Sequence, residues 1–265
     1  MLENILKPNW LEKTPRYAFL IGLIYSIIGI IAAYIVFPKS QGIASIAFLS
    51  MLLIPSLSTM FSIEEKQDST SKKFSIKKIF QDHNDILQVY FMLFLGIFLA
   101  YALFSLKFPN LLVQGVFDSQ LRIIGINAGQ ATGGFSFSSI FTNNIKIVLI
   151  FLVLSLIFGA GSILFLAWNA SVWGVVFGFL ATHYANAFDT FISTFLKVMP
   201  HMFLEAGAYF FAIVAGGIMS QAVLREKIGS KKFEYVLKDG LVFLTVSVLL
   251  LVVAAFVEVY VYVLF

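Results

Sequence analysis

Pro200-His201-Met202-Phe203-Leu204-Glu205 sets a histidine and a carboxylate four residues apart at the head of an apolar stretch that runs on to Gln221. At that spacing both side chains stand on one face of a helix. Ionisable groups at membrane depth are costly, so they mark either a function or a paired structural contact. A second carboxylate, Glu258, lies in the last apolar stretch. If the two stretches run in opposite directions, counting 1.5 Å per residue from their outer ends puts both carboxylates about 9 to 10 Å deep. Asn143, Asn144 and Lys146 open another apolar stretch on the same side, and Asn169 stands at a break further on.

Three chemistries fit such a set. In the structural one, Glu205 and Glu258, protonated or paired with Lys146, His201 or the asparagine amides, cross-link three helices. In the second they form a proton or ion site in a transport path, because neighbouring carboxylates share protons readily. The third, an intramembrane hydrolase, lacks its parts: His201 and Glu205 do not make an HExxH zinc motif, and neither a serine triad nor a cysteine is evident. No catalytic residue, metal ligand or cofactor is therefore expected. His83 and His183, isolated near helix ends, are expected at surfaces.

The elements that hold these residues follow from composition. The chain has 265 residues, 60% hydrophobic and only 12% charged, with a mean hydropathy of +0.93. A soluble domain carries about 25% charged residues, so this is an all-α polytopic membrane protein. The net charge of +4 reads as basic loops at a membrane surface and not as a nucleic-acid footprint. With no cysteine, disulfides, thiolate metal sites and thiol nucleophiles are excluded.

Crossing roughly 30 Å of hydrocarbon takes about 20 apolar residues, and about seven stretches qualify. They run from Tyr17 to Phe37, Gly42 to Ser62, Ile86 to Phe108, Asn143 to Ala167, Val172 to Ala187, Met199 to Val223 and Leu241 to Phe265. The fifth is short, fits either a full crossing or a re-entrant, half-crossing element, and follows a break at Trp168-Asn169-Ala170-Ser171. Pro200 suits the first turn of the sixth, where its missing N–H costs nothing. The division expected is an N-terminal membrane region, 1–142, with three spans, and a C-terminal one, 143–265, with four.

With seven alternating spans the basic segments share a side: Lys7, Lys13 and Arg16; Lys66, Lys72, Lys73, Lys77 and Lys78; and Arg225, Lys227, Lys231, Lys232 and Lys238. The expected orientation is a multi-pass cell-membrane protein with its N-terminus cytoplasmic and its C-terminus outside. The first span is too long for a signal-peptide core and is read as a retained helix.

Between spans, Lys72 to Asp85 alternates lysines with Phe74, Ile76, Ile79 and Phe80, which fits either a short helix on the inner leaflet or a solvated linker. The segment after Pro109 is too apolar for free solvent and is expected to fold back on the membrane or the helix bundle. Gly125, Gly129, Gly133 and Gly134 follow in a Gly/Ser/Thr-rich run that lacks a phosphate-loop pattern. Gly22 with Ser26, Gly174 with Gly178, and Ala208, Ala212 and Gly216 sit at helix-packing spacing.

The C-terminal half resembles the stage II sporulation protein M family of integral membrane proteins. The resemblance rests on Asn143-Asn144, Gly159 and Gly161, Trp168-Asn169 with Gly174, Pro200-His201 with Glu205, and Ala254-Ala255 with Glu258. Ala170 and Met202 stand where the family pattern carries glycine, and the long charged loop is similar to that of archaeal members. The resemblance implies a non-enzymatic membrane scaffold; in spore-forming bacteria the member acts with wall-degrading partners during engulfment. Relatives in cells without spores or peptidoglycan imply a more general role in membrane organisation, assembly or transport. Expected partners are membrane lipids and a membrane protein or further copies of the chain, with no nucleic acid.

Overall fold

The computed structural model describes residues 14–67, 75–123, 136–227 and 229–263. The glycine-rich run from 125 to 134, Lys72 and Lys73 of the linker, and the terminal residues lie outside these. Among the described residues the secondary structure is helical, with no strand. The main helices are α1 Arg16–Val36, α2 Gln41–Gln67, α3 Ile76–Asp82, α4 Asn84–Lys107, α5 Asn110–Val116, α6 Phe137–Phe158, α7 Ile163–Ala181, α8 Ala187–Arg225 and α9 Lys231–Val263. Six stretches are long and apolar enough to cross a membrane, and one of these, Phe137–Ala181, contains both α6 and α7.

α1 shows how the sequence divides a membrane helix. Ala18, Gly22, Ser26, Gly29 and Ala33 recur at steps of three and four and face inward, while Leu20, Ile24, Ile27, Ile31 and Ile35 face outward. The helix stops at Phe37, since the residue before Pro38 is driven out of the helical region. α4 is the central helix: Ile86, Val89, Tyr90, Leu93, Phe94, Ile97 and Tyr101 are all essentially inaccessible. α1 and α7 pack on it through glycines. A methyl group on Gly22 would lie 2.7 Å from Leu93 O, and one on Gly174 2.5 Å from Phe98 O. The small residues are therefore consumed in packing within the chain, where lipid offers no hydrophobic drive.

Helix directions follow from which residues meet. Gly174 lies against Phe98 and Ala102, and Gly178 against Ala102 and Leu106, so α7 runs parallel to α4. Asn144 meets Glu205, and Ser155 meets Ile213, so α6 runs parallel to α8. Gly207 lies against Leu250 and Gly240 against Met219, so α8 and α9 are antiparallel. α7 ends beside α5, where Thr182 Oγ1 donates to Asn110 Oδ1 at 2.8 Å. It follows that α6 and α7 are opposed legs that diverge from one turn, α6 onto α8 and α9, α7 onto α4 and α2.

The position of that turn corrects the sequence reading. The break is at Gly159–Ser162, a short 3-10 stretch in which Gly159 takes φ 54°, a left-handed value that favours glycine. Trp168-Asn169-Ala170-Ser171 lies inside α7. Its polar groups are satisfied by their own helix, Asn169 Nδ2 by Phe165 O at 2.9 Å and Ser171 Oγ by Trp168 O at 2.8 Å. Gly159, Ala160 and Ser162 are buried, as irregular backbone at membrane depth must be. Ser162 Oγ donates to Gly159 O at 3.0 Å.

Two loop expectations become specific. After Pro109 the chain does fold back on the bundle: Val113, Phe117 and Gln120 are fully buried, and Phe117 packs its ring against Tyr101 and Phe104. α3 is anchored to the bundle and is neither free on a leaflet nor a solvated linker, since Phe80 packs edge-on to Phe211 and Phe243. His83, expected at a surface, is fully buried with its ring 5.2 Å from that of Phe243. His183 is exposed.

Candidate functional site

The contact of α6, α8 and α9 gathers the polar residues. Ser136 caps α6, its Oγ accepting from Ser139 N at 3.2 Å, and the helix then carries Asn144 inward about two turns later. Asn144 Nδ2 donates to Glu205 Oε1 at 2.5 Å, and Asn144 Oδ1 accepts from the Tyr209 hydroxyl at 2.9 Å. The carboxyl of Glu258 on α9 is the neighbour of Glu205 at this contact. Two carboxylates can only accept, so a hydrogen bond between them requires that one of them be protonated. Asn144, His201, Glu205 and Tyr209 are 7%, 6%, 8% and 3% exposed, while Glu258 is half-buried.

Two serines tie the same helices together. Ser155 Oγ of α6 donates to Ile213 O at 2.6 Å, and Ser247 Oγ of α9 donates to Ala208 O at 2.7 Å. The site is therefore held by hydrogen bonds at successive levels of one three-helix contact. Where hydrocarbon gives polar groups no alternative partner, such bonds fix helix position as well as energy.

The eight residues singled out from the sequence separate into groups. The structure brings together Asn144, Glu205 and Glu258, with His201 buried one turn before Glu205 on α8. Asn143 and Lys146 are exposed on the other side of α6. Asn169 bonds within α7, away from the contact. Pro200 is not at a helix start: α8 begins at Ala187, and Pro200 sits exposed in its interior, where it removes one backbone hydrogen bond. Glu205 accordingly lies about 27 Å along α8 at 1.5 Å per residue, not one turn from its beginning.

Tyr209 is the member missed by the sequence reading. It stands four residues after Glu205 and eight after His201, on the same helical face, and that periodicity was the available signal. Depth is set better by α9 than by α8. Between Asp239 and Glu258 α9 carries no charged residue, and that run spans about 28 Å, close to the roughly 30 Å of hydrocarbon. Glu258 thus stands at one edge of the apolar layer, and its place beside Glu205 puts Glu205 and Asn144 at the same level. From Asn144 to Gly159 is about 22 Å, so the α6–α7 turn lies within the layer.

Among the described residues no group of three or more histidines and carboxylates could hold a metal ion. An uncharacterized protein of Methanocaldococcus jannaschii is 32% identical over 130 residues, which cover 48% of this chain and 71% of that relative. No solved structure matches the chain. The model of the family described as stage II sporulation protein M matches residues 18–261, a stretch that includes every residue of the polar contact, and the chain belongs to that family of integral membrane proteins.

Proposed function

We propose that the protein is a non-enzymatic component of the cell membrane that organises a membrane complex, binding a membrane protein or further copies of itself. The observation that carries this reading is the mutual satisfaction of Asn144, Glu205 and Tyr209 at a helix contact beside Glu258. Their hydrogen bonds join helices to one another, which is the arrangement of a cross-link. The glycine and alanine stripes are likewise used for internal packing, so a partner is met by the exposed faces of α1 and α9.

The proposed orientation has the N-terminus in the cytoplasm and the C-terminus outside. It rests on Arg16 at the start of α1, Lys77 and Lys78 on α3, and Lys227, Lys231 and Lys238 at the α8–α9 connection. α3 packs on the half of the α8–α9 pair nearest that connection, which groups these charges as positive-inside loops are grouped.

A second reading, a proton- or ion-coupled permease, is favoured by the proximity of the Glu205 and Glu258 carboxyls, a pair suited to sharing a proton. Reconstitution in vesicles separates the two. The scaffold reading expects no proton or ion flux from the wild-type chain, and a stoichiometric membrane-protein partner or homo-oligomer on purification from native membranes. Flux that is lost in Glu205→Gln or Glu258→Gln, with folding intact, overturns it in favour of transport.

A further inference from the structure

The outward side of α6 bears a polar head above an apolar stripe. Asn143 and Lys146 are exposed, and Leu149, Ile150, Val153 and Ile157 continue the same face at helical spacing, each at least half exposed. Lys146 is the cation that the sequence offers to Glu205. The helix instead turns Asn144 inward to that carboxylate and Lys146 away from it, and among the described residues none pairs with its ammonium.

The level of this face follows from the length of the uncharged run of α9. Asn144 is bound to Glu205, the neighbour of Glu258, which ends the 28 Å apolar run of α9, and Lys146 lies only about 3 Å further in. Tyr260, exposed just beyond Glu258, has the position of an interfacial aromatic anchor. An ammonium at this depth, on a surface turned to lipid, extends its stem outward to the headgroups. We propose that this face of α6 binds an anionic membrane lipid, its phosphate held by Lys146 and the Asn143 amide and its hydrocarbon chain lying along Leu149, Ile150, Val153 and Ile157. The order of groups down the helix, cation and amide first and then four apolar side chains, is that of an amphiphile. A partner helix would have to carry a carboxylate at this one level.

Native mass spectrometry of the full chain in mild detergent, titrated with phosphatidylglycerol or phosphatidylcholine, tests the site. The wild-type chain should retain the anionic lipid about fivefold better, the fold-change that corresponds to ~1 kcal/mol for one lysine near a charged membrane surface. Lys146→Gln should bring the two lipids to parity, while Lys107→Gln, exposed at the end of α4, keeps the preference. Equal thermal midpoints for both variants establish that folding is intact. A photoreactive residue replacing Leu149 should give adducts of lipid mass. Retained preference in Lys146→Gln, or adducts to a second protein chain in place of lipid, would overturn the proposal.

Discussion

Asn144 is the residue on which the polar contact turns, because its amide uses both ends, donating to Glu205 and accepting from Tyr209. Asn144→Ala leaves two buried groups without that partner and should destabilise the protein by ~1 to 2 kcal/mol, read as a lowered thermal midpoint in detergent. Tyr209→Phe removes one bond and should cost less, about 0.6 kcal/mol. Glu205→Gln keeps the volume, still accepts from Asn144 and can donate to Glu258, so its midpoint should stay within about 0.5 kcal/mol of wild type. The two carboxylates were legible in the sequence because charge inside an apolar run is conspicuous. Tyr209 was not, since an aromatic ring in such a run reads equally as core or as lipid contact. Asn143 and Lys146 were misjudged for a geometric reason: neighbours on a helix point about 100° apart, so residues adjacent in sequence cannot all face one contact.

At the scale of the element, close packing decides which small residues matter. A methyl on Gly216 would lie 2.6 Å from Ser155 Cβ and 2.7 Å from Leu152 O, whereas on Gly207 of the same helix it would meet only Leu250 at 3.5 Å. Gly216→Ala should therefore force α6 off α8 and cost ~1 to 3 kcal/mol. Gly207→Ala should be neutral or stabilise α8 by up to about 1 kcal/mol, and denaturation of the two variants side by side checks the contrast. Gly159→Ala should cost ~1 to 3 kcal/mol, because φ 54° with ψ −117° is a backbone conformation that residues with a side chain rarely adopt. Composition cannot separate glycines that pack from the glycine that turns: Gly159-Ala160-Gly161-Ser162 looks like helix-packing sequence, and Trp168-Asn169-Ala170-Ser171 looks like a turn. The assignment reverses because Asn169 and Ser171 satisfy their side chains on their own helix, while Gly159 alone supplies the positive φ.

For the whole molecule, the absence of cysteine makes single-cysteine labelling clean. In intact cells a membrane-impermeant maleimide should label Ser40→Cys, in the α1–α2 turn, and Asn110→Cys only where partial exposure beside Thr182 allows. It should leave Lys227→Cys untouched until the membrane is opened. Labelling of Lys227→Cys in intact cells would reverse the proposed orientation. The measurement also bears on the α6–α7 pair, whose opposed legs begin and end on the same side and so leave the direction of α8 unchanged.

Hydropathy by itself determined that this chain is helical and lives in a membrane, since a run of apolar residues can satisfy its backbone in hydrocarbon only as a helix or a closed barrel, and it flagged Glu205 and Glu258 as the groups to explain. Only the tertiary structure decided which faces meet. The inward rotation of Asn144 and the outward rotation of Lys146 depend on contacts between residues more than 60 positions apart, and local sequence carries no record of those distances.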